Sequence, residues 1–314
     1  MQAFDVIAVG LGTVDFLVRV PPGASQGGKT AVREIAIEGG GPAATAAAVT
    51  GMLGYSTAWV GRVGRDDLAE LMRLQLRRHG ISDAHLVEDP KSRTPSAVIE
   101  VEAATAERTV FYSVEGYRPP MAADLPVEAL RRARVVVVDA YAPELAEPAL
   151  EIAKSSGVPT VFDYEGTDTT IARRLIRLAS HTILPCESAR ALTGRPTEVE
   201  MLAELARWTD GQVVITDGAR GCWAWTGGER IHAQPAFPVA SIDTTGCGDA
   251  FHGAYAVGLL EEWPLAQRLE FAAWVAARVA CRLGGRAGIP DRHGLAAADL
   301  SLLSPALRAN LEAL

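Results

Sequence analysis

The chain has 314 residues, 48% of them apolar, with 30 basic and 38 acidic side chains and a formal net charge of −8. That size suits one large α/β core, with or without a small lid. The acid excess leaves no basic stripe to displace counterions from a nucleic-acid backbone, and no apolar run reaches the ~18 residues of a membrane span. Met1–Asp5 carries no basic segment ahead of an apolar core, so a cytoplasmic protein without a signal peptide is expected. Cys186, Cys222, Cys247 and Cys281 form no Cys-x-x-Cys pair, and reduced thiols are expected. The six histidines show no metal-ligand spacing; His252 reads as a helix-surface or pocket-wall residue.

In chain order, an apolar strand over Phe4–Val9 leads to Asp15, an acid that by itself reads equally well as a loop residue. Phe16–Ile37 has extended, alternating character. Three glycines, Gly39 to Gly41, then introduce Pro42 and an alanine-rich helix to Leu53, stopped by Gly54. So many small residues imply close approach of helix to sheet. A strand over Thr57–Val60 and a helix over Asp66–His79 follow, with Gly80 as the stop. Thr94–Ser113 is again extended and alternating. Strands over Val135–Asp139, Thr160–Asp163, Thr182–Leu184 and Gln212–Thr216 alternate with helices over Pro143–Ser155, Thr169–Ala179 and Val199–Trp208. This rhythm predicts a mostly parallel sheet covered on both faces. The two patches that break it predict a small separate sheet. Nothing marks a linker or repeat, so residues 1–314 are read as a single domain, with lid strands from about 16–37 and 94–113.

The chemistry concentrates in Asp243-Thr244-Thr245-Gly246-Cys247-Gly248-Asp249, which runs into the apolar Ala250–Ala256. Gly246 and Gly248 permit unusual backbone angles and leave space for a ligand. The first turn of the helix they open offers free N–H groups and a positive dipole end, which suit an anion. Asp249 is placed to take a proton from a hydroxyl beside that anion. Alone, the same string reads as a turn with an aspartate N-cap. No P-loop, protein-kinase set or serine-hydrolase elbow competes, and Gly10-Leu11-Gly12 lacks the third glycine of a dinucleotide fingerprint.

The longer string Asp-Thr-Thr-Gly-x-Gly-Asp with Phe251-His252-Gly253 resembles the C-terminal signature of the ribokinase-like carbohydrate kinases, the PfkB family, whose usual alanine is here Cys247. The Gly39–Gly41 block matches the family's N-terminal motif. The resemblance implies a ribokinase-like three-layer sandwich with a mostly parallel central sheet and a small β-sheet lid. It implies transfer of the γ-phosphoryl group of ATP to a hydroxyl of a small sugar. Asp249 would be the general base, and the amides of Gly246, Cys247, Gly248 and Asp249 the anion hole. The sugar would lie among Asp15, Gly40, Gly41, Thr45 (where the family usually has Asn) and the lid, with Tyr112 and Tyr141 at the pocket edges. Thr216, Gly218, Gly221, Asp243 and Thr245 would face the nucleotide. Gly285 and Gly288 belong to a late glycine-rich loop near the adenine and a monovalent cation such as K⁺.

The family's Asn-x-x-Glu motif is altered. Ahead of Leu192-Thr193-Gly194 the chain reads Leu184-Pro185-Cys186-Glu187-Ser188, which leaves Glu187 as the candidate to arrange water on Mg²⁺. The family also suggests a homodimer through the lid. The strings at 39–47, 61–64, 234–237 and 284–291 are similar to sulfofructose kinases. Lys29 is then a candidate partner for a sulfonate, but the pocket-edge tyrosines suit neutral hydroxyls better. The reaction is therefore carried over and the sulfonated substrate is not. Cys247 stands at a helix start, where a thiol pKa tends to fall, but it is read as a plain replacement for the family's alanine, without a chemical role. A nucleoside kinase of the same fold, and a sugar- or nucleotide-binding regulator that has lost catalysis, are the alternatives.

Overall fold

A computed structural model of the chain describes residues 3–22, 28–228 and 230–314. The apolar runs become neighbours in one sheet. Six of its nine strands are side by side and parallel: Gln212–Thr216, His181–Pro185, Thr160–Asp163, Val135–Asp139, Val6–Val9 and Thr57–Val60. Ile81–Ser82 extends one edge in parallel, while Cys222–Gly227 and Arg230–Gln234 finish the other as an antiparallel pair. The central strands are buried on both faces, which is why Val135–Val138 is four valines rather than an alternating pattern.

One face carries the helices Pro42–Met52, Cys247–Leu260 and Leu265–Val279; the other carries Pro143–Ser155, Thr169–Ile176, Cys186–Thr193 and Glu198–Leu205. Pro42–Met52 buries every residue from Ala43 to Thr50. Its alanines let the helix Cys247–Leu260 come close, and a Cβ on Gly253 would collide with the Ala46 carbonyl. The two glycine-led helices thus share one contact, and their N-termini open on the same edge of the sheet.

Four strands form the smaller sheet, in the order Ile35–Gly40, Thr13–Val20, Ser96–Glu102, Arg108–Ser113. Thr13–Val20 runs parallel to Ser96–Glu102, and the outer pairs are antiparallel. The alternation in Ser96–Glu102 sends Ala97, Ile99 and Val101 inward beside Leu17 and Leu283. Among the described residues of the extended patch expected over 16–37, only those at its ends are strand. Because its first strand starts at Thr13, Asp15 lies within a strand, paired with Glu38, and not in a loop. The helix Cys186–Thr193 was not expected from the pattern.

Asp139 and Asp163 are register partners at the carboxyl ends of adjacent parallel strands. Asp139 is a structural anchor there. Its Oδ2 accepts the amides of Leu11 (2.7 Å) and Ala43 (3.1 Å), and its Oδ1 accepts the Tyr141 amide (3.0 Å). Gly10 has no room for a Cβ beside this carboxylate. One side chain thus fixes the loop after the first strand and the start of the helix Pro42–Met52. Asp139→Ala should lower the unfolding free energy by roughly 2–5 kcal/mol, because buried donors lose their acceptor. Urea denaturation checks this; an unchanged midpoint would remove Asp139 from that role.

Candidate active site

The helix Cys247–Leu260 begins at Gly246, which adopts φ 69°, a left-handed conformation that favours glycine. A Cβ on Gly246 would stand 2.6 Å from the Gly285 Cα, so the late glycine loop packs directly on the turn. Asp243 holds both in place. Its Oδ1 accepts the Thr245 amide (2.8 Å) and hydroxyl (2.7 Å), and its Oδ2 accepts the Gly284 amide (2.8 Å). Asp243 is fully buried. Space is open beside Gly248, where a Cβ would meet nothing within 4 Å. The first turn is thus open to solvent at Gly248, while the Cys247 amide donates to the Thr244 carbonyl at 3.4 Å.

Asp249 lies in that first turn, and carboxylate oxygens of Asp163, Glu165 and Asp249 gather within 4.8 Å of one another. Desolvation, then the charges of Asp163 and Glu165, push the Asp249 carboxyl far above the ordinary carboxylate range. Asp163 is 4% exposed, and its Oδ1 has no hydrogen-bond partner. Beneath it, the buried His252 places Nε2 3.5 Å from that oxygen and Nδ1 2.7 Å from the Gly248 carbonyl. His252 is thus buried between Asp163 and the first turn of the helix Cys247–Leu260, and is not a surface residue.

The residues expected to meet a sugar cluster a short way off. Asp15 is buried and accepts from the Thr13 hydroxyl at 2.6 Å. Gly40 must lack a side chain because a Cβ would collide with the Asp15 carboxylate. Gly41, with φ 82°, caps the helix that carries the buried Thr45. Arg286 reaches both: its Nε donates to Thr45 Oγ1 (3.2 Å) and its Nη2 to the Gly40 carbonyl (2.9 Å). Tyr141, 41% exposed, packs 6.3 Å from Tyr117, and Tyr112 is 68% exposed on the small sheet. Lys29 is exposed and makes no hydrogen bond or ion pair among the described residues.

The expected nucleotide side is mixed. Thr216 ends a central strand, and Gly218 opens a single 3₁₀ turn with free space around it. Arg220 is occupied by Asp217 and Glu198. Gly221 and Gly288 are glycines for packing reasons, since a Cβ would strike the Gln234 and Arg278 carbonyls. Glu187 is exposed on the helix Cys186–Thr193 and stands outside the acidic group around Asp249.

Sequence reasoning missed Asp139, Asp163, Glu165 and Arg286. The first two carried a usable signal, since each closes an apolar parallel strand at the edge where open α/β sheets bind ligands. Arg108 was also passed over as a contact. From the small sheet its Nη1 reaches Thr244 Oγ1 at 2.5 Å, beside the anion-hole turn.

The pfkB family carbohydrate kinase model matches residues 4–292. Ribokinase of Arabidopsis thaliana is 29% identical over 308 residues, covering 94% of this chain and 80% of its own. A structure of that protein complexed with ribose and ATP superposes with a TM-score of 0.80, at 25% identity over 93% of this chain and 97% of its own. Fructokinase-1 of Zea mays is 30% identical over 268 residues, 79% of this chain and 81% of its own. The crystal structure of a putative ribokinase from Agrobacterium tumefaciens gives a TM-score of 0.85 at 26% identity, covering 99% of each chain. The chain belongs to the pfkB family of carbohydrate kinases and has its ribokinase-like fold.

At Cys247 the tendency of a helix start to lower a thiol pKa does not prevail. Burial outweighs the helix end and pushes its thiol up to about 12, with Arg108 opposing and the neighbouring Asp243 and Asp249 adding to the rise. Its Sγ is thus a poor nucleophile. Iodoacetamide should label Cys247 at pH 8 roughly two to three orders of magnitude more slowly than a free cysteine, since only the thiolate reacts. Cys247→Ala should retain activity. Rapid labelling with loss of turnover in the alanine variant would contradict this.

Proposed function

We propose that this carbohydrate kinase transfers the γ-phosphoryl group of ATP to a hydroxyl of a small neutral sugar, with Asp249 as general base. The observation that carries the reading is the placement of Asp249 in the first turn of a helix that starts at the left-handed Gly246, with open space beside Gly248. The sugar lies against Asp15, Gly40, Gly41 and Thr45, with Tyr112 and Tyr141 at the rim. Asp249 accepts the proton of the attacking hydroxyl. The amides of Gly246 to Asp249 stabilise the charge on the transferring group, as phosphoryl transfer asks mainly for positioning and electrostatics. Thr216, Gly218, Thr245 and Gly285 flank the nucleotide, and Asp243 acts by holding Thr245 and the late loop. Exposed Lys29, with the tyrosines at the rim, supports a neutral acceptor over a sulfonated or phosphorylated one.

Magnesium neutralises the phosphates in such a transfer. The donor set here fits it: Asp163 and Glu165 offer hard oxygen ligands, and the Asp163 carboxylate is buried with Oδ1 unpartnered. These two residues, whose carboxylates gather with that of Asp249, would hold it rather than Glu187, which stands outside that group.

The outer face of the small sheet supports pairing with a second copy. Ile37, Phe16, Val98 and Phe111 stand in one register row, and Ile37, Val98 and Phe111 are exposed at 44%, 47% and 57%.

Two outcomes follow. Against a panel of ribose, fructose, fructose 6-phosphate, sulfofructose and adenosine, wild type should prefer a neutral sugar, and Asp249→Asn should lower kcat by roughly 10²–10⁴-fold with ATP binding retained. A variant at the wild-type rate would sink the base assignment. Separately, Mn²⁺ binding followed by EPR should weaken roughly tenfold or more in Asp163→Asn and Glu165→Gln and stay unchanged in Glu187→Gln. The reverse pattern would return the cation to Glu187.

A further inference from the structure

Arg286 joins the sugar block to the catalytic loop. It is 1% exposed. Its backbone amide donates to Glu38 Oε2 at 3.1 Å, and its guanidinium donates to Thr45 Oγ1 and the Gly40 carbonyl. The remaining nitrogen, Nη1, is buried without a hydrogen-bond partner, against Gly39, where a Cβ would collide with it. The residue before it, Gly285, is the one that packs on Gly246. Among the described residues the guanidinium forms no ion pair. A buried cation held only by neutral acceptors is costly to fold around and is poor evidence of a purely stabilising role.

Its surroundings indicate what it does. Asp15 faces Thr13 on its own strand, Glu38 and Gly40 on the neighbouring strand, Arg286 from the late loop, and Asp243 from the turn before the catalytic helix. Arg286 is the single positive charge in that set. Burial raises the Asp15 carboxyl above its ordinary range, Arg286 opposes the rise, and Asp243 adds to it. Thr45 Oγ1 accepts from Arg286, so its own hydrogen is left to donate.

Resting on the sugar-kinase reading above, we propose that Arg286 is a positioning residue for the acceptor sugar. Its fork fixes the Gly40 carbonyl and the Thr45 hydroxyl, and its charge makes Asp15 an acceptor of sugar hydroxyl hydrogens. The guanidinium does not touch the sugar. It sets the polarity of the groups that do, and it ties their position to the turn that receives the phosphoryl group.

The sign of the pH effect follows. Without the guanidinium, Asp15 keeps its proton to higher pH, and a protonated Asp15 no longer accepts from two hydroxyls. The acid limb of kcat/KM for the sugar therefore moves upward.

The test measures kcat/KM against pH for wild type, Arg286→Gln and Arg286→Lys, with whichever of D-ribose, D-fructose, D-glucose and adenosine wild type phosphorylates best. Arg286→Gln should raise the acid limb by roughly one pH unit and the sugar KM roughly tenfold, leaving the KM for ATP unchanged. Arg286→Lys should leave the limb in place and still raise the sugar KM, because an ammonium cannot reproduce the two-armed contact. If Arg286→Gln does not fold, the lysine variant decides by its sugar KM alone. An unmoved limb in Arg286→Gln, equal changes in the KM for sugar and ATP, or a wild-type sugar KM in Arg286→Lys each overturns the proposal. If wild type phosphorylates no member of the panel, the parent reading fails and this one with it. Phosphorylation with an immobile limb defeats only this one.

Discussion

The repulsion among four carboxylates at one edge of one sheet governs this structure. Asp139 and Asp163 end adjacent strands, Glu165 follows two residues later, and Asp249 comes in from the facing helix. The chain compensates each acid differently. Asp139 accepts three backbone amides, although burial still lifts it to about 6. Asp249 sits at the positive end of its own helix. Asp163 has only His252 nearby, at 3.5 Å, and Glu165 opens to solvent. In the proposed reaction this residual negative charge would be met by the cation that accompanies the phosphates.

Small residues make that convergence possible. The alanines of Pro42–Met52 and the glycine at 253 let the two helices approach until their N-termini share one cleft. Gly40 yields its side-chain space to Asp15, Gly246 yields its own to Gly285, and Gly39 yields to Arg286. At each, one extra carbon would push apart the elements that carry the Asp15 block and the turn before Asp249. In the proposed reaction, where near-attack geometry tolerates little displacement, such a shift would reach both the sugar and the phosphoryl group.

The parallel sheet and the helix start at Gly246 were legible in the sequence because both rest on local pattern. Apolar runs such as Val135–Val138 have one reading in an alternating chain, and Gly246 with Gly248 before Asp249 announces a helix start. The gathering of distant residues was not legible. Nothing adjacent to Arg286 in sequence says that its side chain crosses to Thr45, 241 positions away, or that Asp163 ends beside Asp249. The environment of the Cys247 thiol was not legible either, because a helix start lowers a thiol pKa only where the sulfur stays accessible, and here burial dominates. The place of Glu187 ahead of Leu192-Thr193-Gly194 gave no sign that it stands outside the acidic group around Asp249.

The most direct test of the account is a crystal structure with ADP, aluminium fluoride and the acceptor sugar. The account predicts the fluoride group about 3 Å from the amides of Cys247 to Asp249, with the Asp249 carboxylate on the acceptor hydroxyl and Asp15 on the sugar ring. Fluoride bound away from the helix Cys247–Leu260, or Asp249 turned from the acceptor hydroxyl, would contradict it.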